Sequence, residues 1–196
     1  MKIKKLMALV LSGVLAVSML AGCDGKGGSS SEPTEPVDTS IAAVLNNEQA
    51  GNKVKVDFAY DSDLEEMMNK ALVAYGSDAS DGQVETQIKN SMDIDANKVA
   101  ATLANLYGTG AAATKNTYYY IDVVKDNSGK TDEALMNSVA DGIAFDQLKA
   151  DNTAGGYKYT YSHDGKVAMV KSETANGVVN RYVAIVVTCT TTSAAE

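Results

Sequence analysis

The run of residues 183–187 constrains the fold of this chain more than any other segment. Its sequence, Val-Ala-Ile-Val-Val, is apolar at consecutive positions. Side chains of a β-strand point alternately to the two faces of the sheet, so a strand that is apolar at every position needs cover on both sides. The sequence therefore predicts that the last strand lies centrally in its sheet.

The second half of the chain predicts strands that are joined by tight turns. Residues 118–124 are rich in Tyr, Ile and Val, which favours a strand. The pairs Asp164-Gly165 and Asn176-Gly177 are dipeptides that two-residue hairpins prefer. They divide the C-terminal part into a predicted three-stranded β-meander of residues 157–162, 166–172 and 178–190.

Apolar residues at helical spacing predict helices between and before these strands. The predicted helices are residues 41–49 after the cap Ser40, 64–75 after the capping box 62–65, 84–92, 96–107 after the cap Asp95, and 132–148 after the cap Thr131. Alternation over residues 53–60 predicts one more strand. We therefore expect an α+β fold, with the helices packed on one face of a mainly antiparallel sheet.

The N-terminus has the pattern of a secretory signal. Three lysines within residues 1–5 precede an apolar run of 15 residues, 6–20. A membrane-spanning helix needs about 20 apolar residues, so this run is typical of a signal-peptide core and not of a permanent anchor. The lysines are expected to hold the first end at the cytoplasmic side.

The residues after this core, Leu20-Ala21-Gly22-Cys23, resemble the lipobox of bacterial lipoproteins. The resemblance implies cleavage before Cys23 and attachment of a diacylglyceryl group to its thiol. It also implies a location on the outer leaflet of the cytoplasmic membrane, facing the cell exterior or periplasm, and in two-membrane cells Asp24 would favour retention there. Anchoring is stable when two or more acyl chains are attached.

Three parts of the chain follow from these features. Residues 1–22 are the predicted signal peptide, residues 23–39 are the lipidated Cys23 and a Gly-, Ser- and Pro-rich tether, and residues 40–196 are one globular domain. The whole chain carries a net charge of −8, and loss of three lysines with the signal peptide makes it −11. Such an acidic domain is not expected to bind nucleic acid, which requires clustered cations.

No catalytic, metal-binding or cofactor-binding motif is found. The single histidine, His163, belongs to a predicted turn, and Cys189 belongs to the apolar last strand, where a buried and inert thiol is expected. The acidic residues are spread over predicted caps and turns. Because a pair of catalytic carboxylates is defined by tertiary geometry, a carboxylate-dependent extracytoplasmic hydrolase remains the alternative to a non-enzymatic function.

The tyrosines are the candidate binding residues. The chain has ten tyrosines, two phenylalanines and no tryptophan. By strand periodicity, Tyr118 and Tyr120 share one face of their strand. Likewise, Tyr157, Tyr159 and Tyr161 share one face of theirs. If Tyr118, Tyr120 and part of the second set lie on one exposed face, they form a stacking surface for a glycan, a peptide or a protein. The alternative, which strand statistics favour, is that these rings pack beneath the helices.

The sequence as a whole predicts a membrane-anchored lipoprotein outside the cytoplasm. Its domain is expected to be a non-enzymatic binding module or a structural component of the envelope. A solute receptor for a transporter is not expected, because such receptors have two lobes and need a longer chain.

Overall fold

The computed structural model describes residues 37–107 and 115–196. The predicted signal peptide, Cys23 and the tether up to residue 36 lie outside the described residues. The α-helices are α1 (Val37–Glu48), α2 (Ser62–Tyr75), α3 (Asp81–Ser91) and α4 (Asp132–Asp141). The strands are β1 (Asp57–Tyr60), β2 (Val99–Ala100), β3 (Lys115–Asp126), β4 (Asn152–Ala154), β5 (Tyr157–Glu173) and β6 (Val179–Ala195). No described helix is both long enough and apolar enough to cross a bilayer.

The strands form one mixed, mostly antiparallel sheet in the order β1-β5-β6-β3-β2, with β4 beside the outer end of β5. β1 runs parallel to β5 and β2 runs parallel to β3, whereas the other pairs are antiparallel. The predicted α+β class is therefore confirmed. β6 lies centrally, as predicted, and residues 183–187 are at most 1% exposed.

Helices cover both faces of this sheet, so the expectation that they cover only one was wrong. On one face, which we call the α1–α4 face, Val183 and Ile185 pack in a core with residues of α1 and α4. On the other, the α2–α3 face, Ala184 and Val186 pack in a core with residues of α2 and α3. The apolar residues at both parities of β6 require this second layer.

The C-terminal strands are consecutive and antiparallel, but one predicted turn is wrong. Asp164-Gly165 lies inside the continuous strand β5, and a Cβ at Gly165 would come within 2.6 Å of side-chain atoms of both Val56 and Phe58. The glycine is thus required by the close approach of the chain segment around β1. A turn at Asn176-Gly177 is confirmed, with Gly177 at a φ of 78°, but it belongs to the five-residue loop 174–178 between β5 and β6 and not to a two-residue hairpin. Because residues 157–162 and 166–172 form the single strand β5, the three strands of the meander are β4, β5 and β6.

Several helix boundaries differ from prediction because side chains or strand pairing override the local pattern. α1 begins at Val37, before Ser40. The cap of α2 is Asp61, whose Oδ1 accepts the Leu64 N–H at 2.7 Å. α4 is capped by Thr131 as predicted but ends before Gly142.

The predicted helix 96–107 is also wrong. Asp95 caps only the 3₁₀ helix Ala96–Lys98, and the chain then pairs with β3 as β2 before a second 3₁₀ helix, Leu103–Asn105. The hydrogen bonds offered by the edge of β3 outweigh the helical spacing of the apolar residues.

Candidate functional site

The sheet register brings the five predicted tyrosines to one face. Tyr118 of β3 is paired with Cys189 of β6, and Cys189 is paired with His163 of β5. Paired residues project from the same face and alternate residues of a strand share it. The tyrosines that share the α1–α4 face are therefore Tyr118, Tyr120, Tyr157, Tyr159 and Tyr161.

These tyrosines are partly buried, neither enclosed in the core nor fully exposed. Tyr118, Tyr120 and Tyr161 pack against the core of the α1–α4 face, which gives the rings fixed positions. Tyr157 and Tyr159 lie further out along β5. We call Tyr118, Tyr157, Tyr159 and Tyr161 the tyrosine surface. Because the register places Tyr118 level with His163, this surface extends about 20 Å along the strands and about 10 Å across to β3.

Tyr107 lies on the inner end of the tyrosine surface. Its ring meets Tyr161 edge to face, with 4.8 Å between centroids, and meets His163 in the same way at 5.7 Å. Its hydroxyl accepts the backbone N–H of Lys149 at 2.6 Å and shares a hydrogen bond of 2.8 Å with Nε2 of His163. Burial raises the pKa of Tyr107 to about 12, so the hydroxyl keeps its proton at neutral pH. One side chain thus fixes two irregular segments to the sheet.

His163 and Cys189 are cross-strand neighbours beneath Tyr107. His163 is a partly buried strand residue, which corrects its assignment to an exposed turn. Burial lowers the pKa of His163, although the charge of Asp151 opposes the shift. Cys189 is fully buried, as expected, and burial raises the pKa of its thiol to about 11. A nucleophilic cysteine needs a lowered pKa, so this pair is not an activated nucleophile and base.

Two lysines border the tyrosine surface. Nζ of Lys98 lies 4.4 Å from the centroid of the Tyr118 ring and 3.4 Å from Oδ1 of Asn116. Nζ of Lys149 lies 4.8 Å from the centroid of the Tyr107 ring. Both ammonium groups are in the range of cation–π attraction, which holds a cation over the face of an aromatic ring.

Apart from the tyrosine surface, a recess lies at the β2 edge of the sheet. It has a volume of about 450 Å³, and its polar lining residues are Glu85, Lys89, Tyr120 and Asp122. Burial, and then the charge of Glu85, raise the pKa of Asp122. Burial, and then the charge of Asp122, raise the pKa of Tyr120 to about 12. Glu85 also forms an ion pair of 2.5 Å with Lys89.

Other carboxylates have structural roles. Burial favours the neutral forms of Asp61 and Asp132. Asp61 accepts a hydrogen bond from Lys166, and Asp132 accepts hydrogen bonds from Lys171 and Arg181. These bonds outweigh burial and lower the pKa of both carboxyls. These acids fix α2 and α4 to β5 and β6. Within residues 37–107 and 115–196, no three His, Cys, Asp or Glu side chains are grouped so that they could hold a metal ion.

Sequence reasoning missed Tyr107, Lys98 and Lys149, which reach the tyrosines from irregular segments. It could have placed His163, because Tyr157, Tyr159 and Tyr161 continue to His163 with the same two-residue period. No protein family, curated protein or solved structure matches this chain.

Proposed function

We propose that this chain is a lipoprotein that is anchored through Cys23 to the outer leaflet of the cytoplasmic membrane. Its domain is a non-enzymatic binding module. The observation that carries the binding proposal is the common face and partial burial of the tyrosine surface. Tyrosine rings offer a large, rigid and amphipathic contact area at a small cost in side-chain entropy. Partly exposed tyrosine rings that share one face suit stacking against a ligand.

The anchor is tested separately from the binding surface. Cells expressing the full chain are labelled with an alkyne analogue of palmitate, and the protein is followed through membrane fractionation. We expect label on the wild type and its loss in Cys23→Ser, with release of the protein from the membrane fraction. Equal labelling of the variant would refute lipidation at Cys23 and would leave the binding proposal standing.

Binding is tested by thermal unfolding of the full-length protein in a non-ionic detergent against neutral and charged glycans, peptides and cell-wall fragments. A ligand at about 100 times its Kd stabilises the folded state by about 2.7 kcal/mol. Tyr159→Ala should abolish the shift. The matched control is Tyr75→Ala, since Tyr75 is 44% exposed at the end of α2. Loss of the shift in both variants, or in neither, would argue against the tyrosine surface.

The second candidate function is a carboxylate-dependent hydrolase that uses the recess at the β2 edge. It is supported by Asp122, whose raised pKa suits a general acid, and by Glu85, which lines the same recess. Hydrolysis of chromogenic glycosides is the assay. Activity that is lost in Asp122→Asn and retained in Asp126→Asn would support this function. Absence of activity, or equal activity in both variants, would exclude it for those substrates.

A further inference from the structure

Two lysines beside the tyrosine surface lie over aromatic rings without an ion pair to any described residue. Lys70, Lys89, Lys125, Lys166, Lys171 and Arg181 all form ion pairs with Asp or Glu. Seven other described lysines form none with the described residues, and of these only Lys98 and Lys149 lie over a tyrosine ring. The remaining five are Lys53, Lys55, Lys115, Lys130 and Lys158. One carboxylate also lies at this surface, since Oδ1 of Asp151 accepts the backbone N–H of Tyr161 at 3.0 Å. In a chain of net charge −8, two ring-bound cations without an ion pair still favour an anionic ligand here.

The dimensions of the tyrosine surface favour a chain-like ligand over a folded protein. It measures about 20 by 10 Å, or about 200 Å², whereas a stable protein–protein interface buries about 800 Å² on each partner. An extended peptide can bind by adding a strand to a sheet edge. At Tyr157–Tyr159 that route is closed, because this part of β5 is paired with β4 on one side and with β6 on the other.

At the tyrosine surface, a ligand can be recognised by ring stacking and by charge. Along β5 the tyrosines recur every second residue, about 6.7 Å apart, and thus form a row. Tyr161 already packs against the core and the Tyr107 ring. The apolar C–H face of a sugar ring can therefore stack on the outer two, Tyr157 and Tyr159, while an acidic substituent on the sugar can meet an ammonium group. On the basis of the proposed binding function, we infer that the tyrosine surface binds an anionic glycan, with Lys98 and Lys149 as its charge-recognising residues.

Two probes that differ only in charge test this inference. Oligogalacturonate carries a carboxylate on each sugar, and its methyl ester has the same backbone without the charges. Binding to the full-length protein in non-ionic detergent is measured by calorimetry at low salt. We expect the charged form to bind at least about tenfold more tightly and to weaken as salt is raised.

Matched variants locate the charge recognition. Lys98→Gln combined with Lys149→Gln should weaken oligogalacturonate binding about five- to tenfold. The control combines Lys115→Gln with Lys158→Gln. These two exposed lysines lie at the same end of the sheet but on the α2–α3 face, so the control changes the net charge equally. It should change the affinity less than about twofold.

The outcomes separate this inference from the proposed function. Equal binding of the two probes, with loss of both in Tyr159→Ala, would overturn the anionic ligand and keep the tyrosine surface as a neutral-glycan site. Equal weakening by the two lysine pairs would overturn the assigned residues. Binding of poly-glutamate but of neither glycan probe would identify a peptide ligand and overturn the inference. No binding of any probe, together with no effect of Tyr159→Ala in the ligand panel above, would overturn both proposals.

Discussion

A single methyl group added at Gly165 tests the packing of β5 against the segment around β1. The Cβ of Gly165→Ala would lie 2.6 Å from Cδ1 of Phe58 and 2.6 Å from Cγ1 of Val56. Carbon atoms in favourable contact lie about 3.5–4.0 Å apart, so both contacts are about 1 Å too short. Phe58 is 3% exposed and Val56 is 1% exposed, and neither can move into solvent without opening the core.

The expected cost follows from these contacts. Overpacking of a well-packed core costs about 1–3 kcal/mol, and two simultaneous overlaps place this variant near the upper value. Replacing a glycine removes unfolded-state entropy and returns about 0.5–1 kcal/mol. The net loss of unfolding free energy is therefore about 2 kcal/mol. For a domain of this size it lowers Tm by about 4–8 °C.

Thermal unfolding of the full-length protein, followed by circular dichroism, measures the effect. The control is Gly82→Ala in α3, where an added Cβ has no heavy atom within 4 Å and Tm should stay the same or rise slightly. An unchanged Tm for Gly165→Ala would refute the packing of Gly165 against Val56 and Phe58.

A double-mutant cycle separates this packing from a turn at Asp164-Gly165, in which alanine would also be unfavourable. Val56→Ala removes one of the two overlapping atoms. In the observed fold, the combined variant should be more stable than the sum of the single changes predicts, by at least about 0.5 kcal/mol. A turn at this position would give strict additivity, because it would not bring Val56 near the new methyl group.

Three further predictions concern the residues around Tyr107. Tyr107→Phe leaves the backbone N–H of Lys149 without its acceptor and should lower the free energy of unfolding by about 2 kcal/mol in urea titrations. Burial lowers the pKa of His163 in the folded state, so the unfolded chain binds this proton more readily. The free energy of unfolding should therefore fall as the pH drops from about 6.5 towards the lowered native pKa. His163→Gln should flatten the stability–pH curve in that window, whereas Asp61 acts only at lower pH, since its pKa is lowered from 3.8. Cys189, with a pKa of about 11 and no exposed surface, should react with iodoacetamide only after unfolding, as seen by mass spectrometry of its peptide.

The central position of β6 could be predicted because the responsible signal lies within one segment. Residues 183–187 are apolar at both parities, and only a central, covered strand satisfies all of them. The turn at Asn176-Gly177 and the caps Thr131 and Asp95 are also local, since the backbone groups that they satisfy are at most a few residues away. Where neighbours along the chain decide the structure, the sequence is sufficient.

The errors arise where distant residues decide. The helical spacing of residues 96–107 is real, but the free edge of β3 binds Val99–Ala100 as a strand. The two tyrosine sets could each be assigned one face from periodicity, yet their common face depends on how β3 and β5 pair with β6. Lys98 and Lys149 are 51 positions apart in irregular segments, and no pattern in the chain indicates that both approach tyrosine rings.

Gly165 connects the fold to the tyrosine surface. Val167 belongs to the core of the α1–α4 face, and its parity continues without interruption through Gly165 and His163 to Tyr161. A hairpin turn at Asp164-Gly165 would place Tyr161 on a separate strand and remove this relation between core and surface. Because the glycine admits Phe58 against the backbone, β5 remains a single strand. The core that fixes Val167 therefore also determines the face from which the tyrosines of β5 project.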